Sequence, residues 1–107
     1  MSEPASEQRS SPRRLWKTSA ICLRDGADGE ACVAGQVLNV SHEGAQILLR
    51  SEFSVGEKFG VILVGIHRRP AAEVRAVVRW VRSEAVGVCR IGVSFVRPLT
   101  RNEMDFI

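Results

Sequence analysis

The stretch QVLNVSHEGAQILL, residues 36–49, places an apolar run on either side of Asn39-Val40-Ser41-His42-Glu43-Gly44. Asn and Ser side chains bond to nearby backbone, and Gly44 supplies either a φ above zero or a close approach of two chains. Strands over 31–40 and 45–50, joined by a tight turn over 41–44, therefore make an antiparallel hairpin. Upstream, 19–23 reads as a strand and RDGADGE (24–30) as the loop of a preceding hairpin. Downstream, 54–56 is a turn. Residues 58–66 then give an apolar run (KFGVILVGI) suited to a strand buried on both sides.

After a turn at HRRP (67–70), period-two alternation over 72–81 sets Val74, Ala76, Val78 and Trp80 on one face. Arg75, Val77, Arg79 and Val81 fall on the other. Residues 86–95 alternate as well, with Cys89, Ile91, Val93 and Phe95 facing one way and Arg90 and Ser94 the other. Thr100 followed by Glu103 is a capping-box pattern for a short C-terminal helix, with Met104 and Phe106 available to pack. Six short strands with no helix-length pattern between them predict an all-β fold. The expected form is a small, split, six-stranded antiparallel β-barrel with that helix at its end. Closure hides strand edges.

The whole chain is 107 residues, room for one small domain. Folding buries about 65% of the extended chain's surface at this size, enough for one modest core without staples. A TIM barrel or a full dinucleotide-binding domain does not fit. No apolar run reaches the ~20 residues of a membrane span, and the polar start is unlike a signal peptide. Residues 1–12, rich in Ser, Glu and Pro, predict a disordered tail ahead of a domain over 13–107.

Cys22, Cys32 and Cys89 have no metal-binding spacing and are expected as small buried hydrophobes, which points to no metal site and to the cytoplasm. His42 and His67 are isolated, and no nucleophile, phosphate-loop or zinc motif occurs, so an enzyme is not expected. His42 reads as a solvated turn residue. Net charge is +3, too weak for DNA or RNA as the obvious partner, and Tyr is absent, which removes one common stacking residue. Trp16, Trp80 and the Phe residues read mainly as core or tail, with Trp16 placed where it either packs on the barrel or covers a base.

Basic residues gather just ahead of the first strand: Arg9, Arg13, Arg14 and Lys17. This cluster followed by NVSHEG, with FSVGEKFGVILV (53–64), VVRWV (77–81) and IGVSF (91–95), resembles the PilZ domain over roughly residues 13–99. PilZ domains are bacterial modules that bind cyclic di-GMP through RxxxR before the first strand and [D/N]xSxxG one hairpin later. NVSHEG fits the second motif at every fixed position. For the first motif three registers remain open. Arg9 with Arg13 is a literal RxxxR, alignment on the first strand pairs Ser10 with Arg14, and Arg13 with Lys17 is a near match.

The resemblance implies a cyclic di-GMP site of Arg9, Arg13, Arg14, Asn39, Ser41 and Gly44, with no cofactor beyond that ligand. Arginine forks suit guanine edges and phosphates. A bacterial receptor or adaptor of this kind changes the conformation of its N-terminal segment on binding. It then signals to a protein partner in motility, biofilm or polysaccharide control. The alternative is a degenerate PilZ protein-interaction module that does not bind cyclic di-GMP. Oligomeric state is left open.

Overall fold

The computed structural model describes residues 18–26, 29–65 and 68–107. The expected tail, Arg9, Arg13, Arg14, Trp16, Lys17 and His67 lie outside them. Six strands follow in order: β1 (Ser19–Gly26), β2 (Gly29–Val40), β3 (Gly44–Leu49), β4 (Lys58–Val64), β5 (Pro70–Ala85) and β6 (Val88–Phe95). All neighbours are antiparallel, and the ring β1-β2-β3-β6-β5-β4 closes where β4 pairs back to β1, with Ile21 opposite Ile62. One short helix, α1 (Arg101–Asp105), follows the last strand. The barrel is the one the alternation predicts.

Inside, alternate residues of every strand meet. Val37, Ile47, Phe59, Val61, Leu63, Ala76, Val78 and Ile91 are buried, with Leu99 and Ile107 added from the C-terminal segment. Phe59 is completely enclosed and tilts onto Phe53, ring centroids 5.1 Å apart. Burial also holds the Cys22 thiol up at about 12, well above a reactive range.

Several local expectations change. The strands of the first hairpin run on through most of RDGADGE, as far as Gly26 opposite Gly29. β4 is buried fully on its inner side only: Ile62 and Val64 face outward and remain half-buried. Cys32 is exposed, unlike Cys22 and Cys89. Phe106 is 61% exposed, and the next residue, Ile107, packs into the core instead.

The largest change is at Trp80. β5 bulges between Val78 and Trp80, which pair with Val93 and Gly92 respectively. The extra residue, Arg79, shifts the alternation by one, so Trp80 points outward. A second irregularity falls between Ser83 and Ala85.

At the C-terminus the capping box forms as expected. Thr100 Oγ1 accepts from the Glu103 N–H at 3.1 Å, and Glu103 Oε1 accepts from the Thr100 N–H at 2.8 Å. Arg97 grips the same carboxylate with two bonds of 2.8 Å. That guanidinium, with the capping bonds, holds the Glu103 carboxyl down at about 2. A carboxylate depressed in the folded state stabilises above its unfolded pKa, and the contribution is lost as pH falls toward the folded value. Between about pH 4.5 and 2 the amides of α1 are therefore expected to lose hydrogen-exchange protection, and Glu103→Gln to abolish that pH step. The effect is local, because the pair is solvent-screened.

Candidate ligand-binding face

Asn39 ends β2 just past a bulge between Val37 and Asn39. It pairs with Gln46, whose neighbours Ala45 and Ile47 point into the core, so both Asn39 and Gln46 face outward. The turn that follows is tightly tied. Ser41 N–H donates to the Gly44 carbonyl at 2.8 Å, and Ser41 Oγ accepts from the Glu43 N–H at 3.3 Å. The Phe95 N–H donates to the Glu43 carbonyl, pinning the turn to the end of β6. His42 is anchored rather than merely solvated: its carbonyl accepts from the Leu99 N–H at 2.8 Å, and its Nδ1 lies 2.9 Å from the Leu99 carbonyl. Since that carbonyl only accepts, Nδ1 carries the proton.

Gly44 opens β3 opposite Ser94, and a Cβ there would run into the Val93 carbonyl. Among the described glycines only Gly56 and Gly87 have positive φ, so close approach is the requirement at Gly44. Gly44→Ala is expected to cost about 1–3 kcal/mol, a fall in melting temperature of roughly 5–20 °C. Thermal unfolding followed by circular dichroism measures it.

The register carries this face across four strands. Asn39 pairs with Gln46, Gln46 with Gly92, and Gly92 with Trp80. At 4.7–4.9 Å between strands the row spans roughly 14 Å. The Trp80 indole lies against Gly92, where a Cβ would collide with it, yet the side chain is still 36% exposed. Arginines surround it. The Arg82 guanidinium carbon is 5.8 Å from the ring centroid, and Arg79 Nε donates to Ser94 Oγ at 2.6 Å. Arg90 Nε is 3.2 Å from Glu84 Oε2, an ion pair without hydrogen-bond alignment.

The structure thus brings Asn39, Ser41 and Gly44 together at one end of an outward face. Arg9, Arg13 and Arg14 fall outside the described residues. Sequence reasoning missed Trp80, Gln46 and the arginines of β5. The available signal was Gly92 in the interior of a strand, which marks a close approach by something large. Among the described residues no group of three or more His, Cys, Asp or Glu is placed to hold a metal ion. Nor is any helix among them long and apolar enough to cross a membrane.

No curated protein and no solved structure matches this chain. A family model does: the PilZ domain, over residues 7–107, a longer span than the motifs alone suggest. With a match across nearly its full length and the closed six-stranded barrel that the resemblance implies, this chain belongs to the PilZ domain family.

Proposed function

We propose that the chain is a cytoplasmic bacterial receptor for cyclic di-GMP that passes the signal to a protein partner. One observation carries this reading: the Asn39–Ser41 turn and the exposed Trp80 ring stand on one outward face, in register, roughly 14 Å apart. Cyclic di-GMP offers two guanines and two phosphates to such a face. Asn39 and Ser41 supply donors and acceptors for a guanine edge, and the ring supplies a surface on which a purine stacks. Gly44 keeps the turn low against β6, so the ligand meets backbone rather than a side chain.

The arginine cluster is within reach by covalent geometry. The Thr18 carbonyl accepts from the Val37 N–H at 3.1 Å, so the chain enters the barrel two residues from Asn39 on the neighbouring strand. At no more than ~3.6 Å per residue, Arg14 lies within about 14 Å of Thr18 and Arg9 within about 32 Å. The first reach covers the Asn39 end of the row and the second the whole of it. Half of the site on a fixed barrel and half on the segment before it makes binding a change in surface, which a protein partner reads.

Titration calorimetry of the whole chain with cyclic di-GMP tests the reading. The expected result is saturable heat together with a change in tryptophan emission that is reduced in Trp80→Phe. The absence of heat at high messenger concentration overturns the ligand and leaves a protein-interaction module on the same barrel.

A further inference from the structure

β5 outruns the barrel wall. On its β4 side it is paired from Pro70 to Val77, and Val78 exchanges bonds of 2.8 and 2.9 Å with Gly56 and Glu57. Beyond that point, from Arg79 to Ala85, β5 pairs only with β6 among the described residues. Its other edge is open, and an open edge is a template for a further strand.

The side chains on that edge say which strand fits. Arg82 lies opposite Arg90 on the outer face, and Glu84 pairs with Arg90 from the same side. Val81 and Ser83 line the underside, above a cavity of about 260 Å³. Consider β5 laid antiparallel against its own copy with both outer faces on one side. Registers centred on Arg82 or on Glu84 set like charges opposite one another. Centred on Ser83, Arg82 meets Glu84 of the second copy and Glu84 meets its Arg82.

We propose that the chain self-associates as a two-fold dimer through the free edge of β5, with the axis at Ser83. The partner is a second copy because the charge pattern on this edge is complementary to itself. Nothing in this depends on cyclic di-GMP, and the test uses none.

Sedimentation of the whole chain over a concentration series up to roughly 1 mM should give a monomer–dimer equilibrium in the range of weak association. Arg82→Glu and Glu84→Arg each put like charges across the axis twice and should weaken association at least about tenfold. Mixed in equal amounts, the two variants should recover the dimer, because an all-acidic edge then meets an all-basic one. In the unaltered chain, amide exchange at Val81 and Ser83 should slow as concentration rises. Three results overturn the proposal: a wild type monomeric throughout, which leaves the edge to a strand of another protein; a dimer indifferent to both reversals; or a mixture that stays monomeric.

Discussion

Replacing Trp80 with alanine is expected to leave the barrel folded and to weaken cyclic di-GMP binding about fivefold or more. The ring is partly exposed on the outer face and fills no part of the interior, so its loss opens no core cavity. Stacking a base on an aromatic side chain is worth about 1–3 kcal/mol, or roughly five- to 150-fold in affinity. Phenylalanine retains a stacking surface and should recover much of the loss. Arg13→Ala or Arg14→Ala should also weaken binding about tenfold or more, since a charged, forked contact is worth about 1.5–3 kcal/mol. Which of the two has the larger effect separates the Arg14 register from the two that use Arg13. Calorimetry on each variant reads the affinities, and circular dichroism confirms the fold. Unchanged affinity in Trp80→Ala would remove the ring from the site.

Phe59→Ala should act in the opposite way, on the fold and not on the ligand. Phe59 is fully enclosed in β4, between β1 and β5, and its ring packs on Phe53. Truncating a buried Phe typically costs about 3–5 kcal/mol, part lost transfer energy and part cavity. A domain of this size has about 5–15 kcal/mol in all, so the variant should stand near its unfolding threshold. Its melting temperature should fall by some 15–30 °C, on the scale of about 4–8 °C per kcal/mol. Thermal unfolding provides the measurement. A drop of only a few degrees would mean that the neighbouring side chains collapse into the space.

Most of the barrel was legible because its strands alternate in and out with period two, and because Gly, Asn and Ser punctuate them. The NVSHEG turn was legible because Ser41 ties its own turn backbone and a glycine there marks a bend or a close approach. What local pattern does not encode is which distant strand lies alongside. Neither the β3–β6 pairing nor the β1–β4 closure is written in neighbouring residues. Trp80 escaped for a sharper reason. Alternation counted from Val74 puts it inside, and the extra residue at the bulge moves it outside. Ile107 took the place expected of Phe106 because α1 is too short for helical spacing to decide which residue faces the barrel.

That bulge means the position of the ring is written in strand register as well as in residue identity. Deleting Arg79 alone would leave Trp80 directly after Val78, still opposite Gly92 and still facing outward, with the bulge removed. Trp80 would turn inward only if Arg79 itself paired with Gly92, against Val78 and Ile91 that are already closed off from solvent, so the outward platform withstands the loss of a residue at the bulge and fails on a shift of register there.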